Sequence, residues 1–130
     1  MFYLLQGAGK TTAISILTGL IPPTQGECTI YGESVSTELD EARQSMGICP
    51  QHDVLFRDLT VAEHLKLFDR IKGVSVTTDS MQKRAEDFGL GGVIHALPCQ
   101  LSGGMKRKLS IAIAFCGDSK FILLDEPTTG

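Results

Sequence analysis

The hexapeptide Gly7-Ala8-Gly9-Lys10-Thr11-Thr12, close to the start of the chain, indicates a tight turn between a strand and a helix. Glycines let the backbone of such a turn approach a ligand closely, and the N–H groups at the helix start point at an anion. The lysine and threonine after the last glycine add an ammonium group and a hydroxyl, which suit phosphate and Mg²⁺. The stretch therefore predicts an α/β fold whose first helix begins at Lys10.

The phosphate-loop pattern GxxxxGK[ST] is incomplete in this chain. Its first glycine should fall at position 4, which is occupied by Leu4. If the turn needs a left-handed backbone there, leucine costs about 1–2 kcal/mol more than glycine. A glycine-rich turn that binds no ligand therefore stays an alternative for this stretch taken alone.

A second informative stretch, Phe121-Ile122-Leu123-Leu124-Asp125-Glu126, lies near the other end of the sequence. Its four apolar residues predict a buried strand, and open α/β sheets bind ligands at the carboxyl ends of their strands. Asp125 would hold Mg²⁺ directly or through water, and Glu126 would act as general base on the attacking water. An apolar run before two acids is common, but paired with Gly7–Thr12 it predicts a nucleotide site.

Strand and helix signals alternate between these two stretches. Alternation of this kind predicts a largely parallel sheet, here with a helical insertion between roughly Asp53 and Gln100. Helices are predicted at Lys10–Leu20, Glu38–Ser45, Thr60 to about Gly73, Asp79–Phe88 and Ser102–Cys116, and strands at Cys28–Tyr31, Met46–Cys49 and Phe121–Leu124. Thr60 and Glu63 form a capping box at the start of the third helix.

The composition is that of a soluble globular protein of one domain, with 130 residues, 42% hydrophobic and 21% charged. A net charge of -3 argues against nucleic acid as a partner. No apolar run approaches the roughly 20 residues that a membrane span requires. The four cysteines are scattered, which favours reduced thiols over a metal site: Cys28, Cys49, Cys99 and Cys116.

A third stretch, Leu101-Ser102-Gly103-Gly104-Met105, lies at a predicted helix start. A serine hydroxyl, exposed N–H groups and the helix dipole together make a second anion-binding device. The alternative is simply an N-capped helix. The following Lys106-Arg107-Lys108 is expected to be a solvated helix face, although it would add to the positive field near a bound phosphate.

Taken in order, these stretches resemble the motifs of ABC-type ATPase domains. Gly7–Thr12 resembles the phosphate loop (Walker A), Leu101–Met105 the signature motif, and Asp125-Glu126 the end of the Walker B strand. Cys49-Pro50-Gln51-His52-Asp53-Val54-Leu55-Phe56 resembles the family's Q-loop. The sequence of this segment, together with that of Leu17–Thr24, is most similar to the A subfamily of eukaryotic ABC transporters, many of which move lipids.

The resemblance implies a P-loop NTPase-type fold and a set of site residues. We expect a partial ABC ATPase domain over 1–130, with a P-loop core at 1–52 and 117–130 and a helical subdomain at 53–116 that ends in the signature helix. Glu126 and Gln51 would be catalytic, and Thr11, Gln51 and Asp125 would bind Mg²⁺. The residues expected to contact ATP are Gly7, Ala8, Gly9, Lys10, Thr11, Thr12, Ser102, Gly103 and Gly104.

The resemblance also implies partners and a location. A second ABC ATPase domain would pair head to tail, so that each signature motif closes on ATP held by the partner's phosphate loop. A transmembrane domain of the same or another chain would place this chain at the cytoplasmic face of a membrane, within an integral membrane transporter. None of the three histidines, all of which precede Glu126, matches the family's switch histidine, and His64 is expected on a helix face.

Three functions therefore stay open on the sequence. The first is an ATP-hydrolysing domain of an ABC transporter for lipids or other amphiphiles. The second is a catalytically inactive binding module, motivated by Leu4 and by missing flanking segments, and we expect the isolated 130-residue chain to hydrolyse ATP negligibly. The third is an ABC-type ATPase without transport. The net negative charge and the Q-loop sequence, which is similar to that of the A subfamily, argue against it.

Overall fold

The computed structural model describes residues 9–125, which fall into two compact units divided between Ser45 and Met46. The predicted strand before the phosphate loop and the residues Gly7, Ala8 and Glu126 lie outside the described residues. Each unit is described by itself below.

All five predicted helices and the three strands predicted within residues 9–125 are present, which confirms the α/β class. The helices are α1 Lys10–Leu17, α2 Leu39–Gln44, α3 Val61–Ile71, α4 Thr78–Asp87 and α5 Gly103–Ala114. The strands are β1 Thr29–Ile30, β2 Glu33–Ser34, β3 Met46–Cys49 and β4 Phe121–Leu124. Short 3₁₀ turns lie at Gly91–Val93, Pro98–Gln100 and Cys116–Asp118. Within residues 9–125, no helix is long and apolar enough to cross a membrane.

In the unit of residues 9–45, α1 ends three residues earlier than predicted. Gly19 adopts a φ of 69°, which a helix cannot continue, and the Thr18 hydroxyl donates to the Ile14 carbonyl at 2.8 Å. The Arg43 guanidinium of α2 donates to the Thr18 carbonyl at 3.0 Å. The end of α1 is therefore held by α2 as well as by its own cap.

The same unit contains an antiparallel hairpin that the sequence did not predict. β1 pairs with β2, and the two-residue loop between them has positive φ at Tyr31 (52°) and Gly32 (92°). Positive φ at both loop positions is the geometry that closes a tight hairpin. Two-residue strands are too short to show an alternating pattern, so only β1 was expected.

In the unit of residues 46–125, β3 and β4 form a parallel pair. The register aligns Met46 with Phe121 and Cys49 with Leu124, so both strands end at the same edge. α5 packs on this pair, and Gly47 permits the contact because a Cβ at that position would overlap the Ala114 carbonyl oxygen. The helix therefore lies closer to β3 than any other residue type at position 47 would allow.

The helices α3, α4 and α5 share one apolar core, whose buried members are Val61, Leu65, Ala85, Leu90, Leu101, Leu109, Ala112 and Cys116. The start of α3 is capped as the sequence predicts. The Thr60 hydroxyl accepts from the Glu63 N–H at 3.3 Å, while the Glu63 carboxylate accepts from the Thr60 N–H at 2.7 Å. The hydrogen bond from the Thr60 N–H, and next the one that the Thr60 hydroxyl donates to the same carboxylate at 2.8 Å, lower the pKa of Glu63.

A buried ion pair ties the same helices together. The fully buried Asp69 carboxylate of α3 accepts from Arg84 of α4 and, at 2.7 Å, from the Gly117 N–H beyond α5. Arg84 also donates to the Cys116 sulfur at 3.5 Å. A buried carboxylate needs such partners because desolvation alone would cost several kcal/mol.

The contact at Gly47 yields a stability prediction. We expect Gly47→Ala to destabilise the protein by about 1–3 kcal/mol, because the new methyl group overlaps backbone rather than a movable side chain. Gly92→Ala is the matched control, since its added methyl meets no atom within 4 Å and its change should stay within about 0.5 kcal/mol. Urea unfolding of both variants checks this, and equal midpoints would contradict the close approach of α5.

Candidate functional site

The start of α1 forms the described part of the phosphate loop. Gly9 is the N-cap residue with a φ of 78°, a left-handed conformation that favours glycine over every other residue. Its carbonyl accepts the first helical hydrogen bond from the Ala13 N–H at 2.9 Å. Thr11 and Thr12 are exposed and Lys10 is half-buried. The two threonines at the helix start are therefore accessible to solvent.

In the other unit, the carboxyl edge of β3 and β4 brings two predicted site segments together. The Asp125 N–H donates to the Cys49 carbonyl at 2.9 Å, which extends the strand pairing by one step. Gln51 follows Cys49 by two residues and is exposed, whereas Asp125 is half-buried. Cys49 and Asp125, which belong to the predicted Q-loop and Walker B motifs, therefore lie side by side at the edge where α/β sheets bind ligands.

The guanidinium of Arg107, on α5, joins these two segments. Its Nη1 donates to the Pro50 carbonyl at 2.6 Å, to the Gln51 carbonyl at 3.3 Å and to Oδ1 of Asp53 at 3.3 Å. Its Nη2 donates to the Asp125 carbonyl at 3.1 Å. Because Arg107 is only 9% exposed, the expectation of a solvated face at Lys106–Lys108 is wrong for this residue.

His64 holds the far end of the predicted Q-loop, and it lies on a face of α3 that is fully buried. Its Nε2 accepts from the Phe56 N–H at 2.9 Å, and its Nδ1 lies 2.8 Å from the Thr60 carbonyl oxygen. A nitrogen facing an N–H must be the acceptor and one facing a carbonyl the donor, so the ring is neutral with its proton on Nδ1. The sequence carries no signal for this role beyond the residue type.

The signature motif forms the start of α5. The Ser102 hydroxyl accepts from the Met105 N–H at 3.2 Å, as the predicted N-cap requires. Gly103 and Gly104 are exposed, and a Cβ at either position would meet nothing within 4 Å. The start of α5 therefore has open space around its two glycines, and the first N–H groups of a helix are the ones that suit an anion.

Oxygen ligands near the strand edge fit Mg²⁺ by their chemistry. Mg²⁺ prefers carboxylate, hydroxyl and amide oxygens over sulfur. Asp125 and Gln51 supply a carboxylate and an amide at the edge, whereas the buried Cys49 beside them is unsuited, because burial raises the pKa of its thiol although Arg107 acts in the opposite direction. The residues present therefore fit a magnesium-bound nucleotide.

The predicted site residues divide between the two units. Gly9, Lys10, Thr11 and Thr12 lie in residues 9–45, while Gln51, Ser102, Gly103, Gly104 and Asp125 lie in residues 46–125. Gly7, Ala8 and the proposed base Glu126 lie outside the described residues. Sequence reasoning missed the two side chains that hold the Q-loop, Arg107 and His64.

Comparison with known proteins identifies the family. The family model described as ABC transporter matches residues 5–129. A solved structure described as the ATP binding subunit of an ABC transporter superposes with a TM-score of 0.81 at 31% identity, over 95% of this chain and 52% of that one.

Two curated relatives are similar over 95% of the chain. ATP-binding cassette sub-family A member 2 of Homo sapiens is 56% identical over 126 residues, and the retinal-specific phospholipid-transporting ATPase ABCA4 of Homo sapiens is 52% identical over the same length. The chain spans 5% of the length of the first and 6% of the second.

Burial of the cysteines gives a labelling prediction. Burial, and next the Asp69 carboxylate, raise the pKa of Cys116 to about 12, so its thiolate is scarce at any lower pH. We expect an alkylating reagent at about pH 8.5 to modify the exposed Cys99 and to spare Cys116 and Cys49.

Peptide mass spectrometry of the labelled protein measures this difference. In urea all three thiols should react, which controls for the reagent. Equal labelling of Cys116 and Cys99 in the folded protein would contradict the burial of Cys116.

Proposed function

The chain belongs to the ABC transporter family, and on that premise we propose that it binds and hydrolyses ATP as part of a transporter for lipids or other amphiphiles. The observation that carries the proposal is the shared edge of β3 and β4, where Gln51 and Asp125 follow the ends of two adjacent strands. An attacking water and a metal ion both need oxygen ligands at one place, and this edge supplies them.

Each motif has a role in the proposed reaction. Lys10 and the N–H groups at the start of α1 bind the phosphates, and the Thr11 hydroxyl is a magnesium ligand. Asp125 would hold Mg²⁺ directly or through water, and Gln51 would lie near both the metal and the attacking water. Glu126 accepts a proton from that water, while Mg²⁺ supplies the positive charge that offsets the phosphate oxygens.

We propose a second ABC ATPase domain as the partner at the signature motif. The open space around Gly103 and Gly104 supports this, because a ligand brought by another domain can reach the first N–H groups of α5. A head-to-tail pair would place these N–H groups and the Ser102 hydroxyl on ATP bound to the partner. The positive end of α5 would then stabilise phosphate charge that the partner's own loop leaves uncovered.

The lipid cargo and the membrane location rest on the relatives. ABCA4 is described as a phospholipid-transporting ATPase and is 52% identical to this chain. We propose a phospholipid or related amphiphile as the transported class, moved by a transmembrane domain with this chain at its cytoplasmic face. A non-transporting ATPase is the alternative, and purification of the protein without any membrane-spanning segment would favour it.

ATP turnover tests the nucleotide site directly. In the intact protein that contains this chain, we expect Lys10→Ala and Glu126→Gln each to lower turnover by about 100-fold or more, because each removes a group used in the transition state. Lys83→Ala and Glu41→Gln, on the exposed surfaces of α4 and α2, are the matched controls and should retain activity. Unchanged phosphate release in both site variants would refute the assignment.

The partner contact can be tested separately at Gly103. An aspartate fits there without overlap, and an acid in the first turn of a helix is stabilising by about 0.3–1 kcal/mol. We therefore expect Gly103→Asp to keep the melting temperature while abolishing ATP turnover, since its carboxylate would repel the partner's γ-phosphate.

Gly92→Asp, another substitution into open space, is the control and should remain active. Nucleotide binding by the chain's own phosphate loop should be unaffected in both variants. Full turnover by Gly103→Asp would exclude the signature motif from the reaction.

A further inference from the structure

We propose that Arg107 is a positioning residue that couples the signature helix α5 to Gln51 and Asp125, a role that rests on the proposed ATPase function. One guanidinium binds four acceptors on two different strand ends: Pro50, Gln51, Asp53 and Asp125. Three of these are backbone carbonyls, so Arg107 fixes the path of the chain rather than one side chain.

Arg107 adds to a short strand pairing. β3 and β4 are each four residues long, and the hydrogen bond from the Asp125 N–H to the Cys49 carbonyl continues the pairing past their ends. The guanidinium lies directly beyond this point. It therefore sets the distance between the Gln51 backbone and the Asp125 backbone, which carry the proposed magnesium ligands.

Arginine suits this position because of its shape. A planar guanidinium presents five N–H donors in a fixed fork, whereas the ammonium of lysine carries three donors at one point. Donors on two different nitrogens are needed here, since the Asp125 carbonyl is bound by Nη2 and the Q-loop carbonyls by Nη1. Lysine could keep the charge but not both connections.

The opposite end of the Q-loop has its own anchor, which makes the loop a segment held at two points. His64 accepts from the Phe56 N–H at 2.9 Å, while Arg107 holds residues 50–53. His64 is on α3 and Arg107 is on α5, one turn beyond the Ser102 cap. A displacement of α5 when a partner closes on Ser102 would therefore move residues 50–53 while Phe56 stays in place.

The kinetic test uses the intact protein. We expect Arg107→Gln to lower kcat by about 10- to 100-fold with little change in the KM for ATP, and to raise the Mg²⁺ concentration needed for half-maximal rate. Arg107→Lys should recover only part of kcat. Arg70→Gln, which removes an exposed arginine from α3, is the matched control and should be within twofold of the unsubstituted protein.

A double-mutant cycle separates positioning from general stability. If Arg107 acts through Gln51, then Arg107→Gln should add little to the loss already caused by Gln51→Ala. Fully additive losses would overturn the coupling. An Arg107→Gln variant with unchanged kcat and Mg²⁺ dependence would overturn it as well.

Amide hydrogen exchange tests the geometry without relying on turnover. We expect Arg107→Gln to speed exchange at residues 51–56 by about tenfold and to leave the core of α3 and α4 protected, whereas Arg70→Gln changes neither. Unchanged exchange at residues 51–56 would overturn the proposed positioning role. A protein that shows no ATP turnover at all would instead refute the proposed function, and the exchange result would still decide whether Arg107 holds the loop.

Discussion

The parallel pairing of β3 with β4 is the constraint on which the unit of residues 46–125 depends. Its register places Cys49 opposite Leu124, so the residues that follow each strand leave the sheet at the same edge. A shift of one residue would turn every side chain of a strand to the opposite face. It would also separate Asp125 from the Q-loop. The contacts of Arg107 with both strand ends exist only in this register.

Close packing of α5 against β3 follows from a single small residue. Gly47 admits the Ala114 carbonyl at a distance that a Cβ would forbid. This approach brings the second turn of α5 within reach of the Pro50 carbonyl, where a longer separation would leave the Arg107 side chain short of its acceptors. Glycine in a strand interior weakens the strand, and it commonly marks a site where another backbone approaches closely. Here the close approach serves the site as well as the core.

Sequence patterns could predict the elements and the motif residues, but not the side chains that connect them. The apolar runs at Met46–Cys49 and Phe121–Leu124, the capping box at Thr60 and the N-cap at Ser102 are local signals, and each is confirmed. Arg107 lies between two lysines in the sequence, and a run of three cations predicts a solvent-exposed side chain. Its burial depends on hydrogen-bond acceptors that are distant in the sequence: Asp53, Gln51 and Pro50 lie 54 to 57 residues before it. Contacts between residues so far apart in the sequence produce no local periodic pattern from which they could be predicted.

The burial of Arg107 also indicates why an arginine occupies this position. Removing a guanidinium from water costs several kcal/mol, and hydrogen bonds to a charged group return about 1.5–3 kcal/mol each. These opposing terms are of similar size, so an apolar side chain filling the same space would stabilise the fold about as well. An apolar residue could not, however, bind carbonyls on two strand ends. The directional contacts of the guanidinium therefore contribute geometry at the strand edge more than stability. Two oxygen ligands that follow separate strands require such geometry if they are to bind one metal ion.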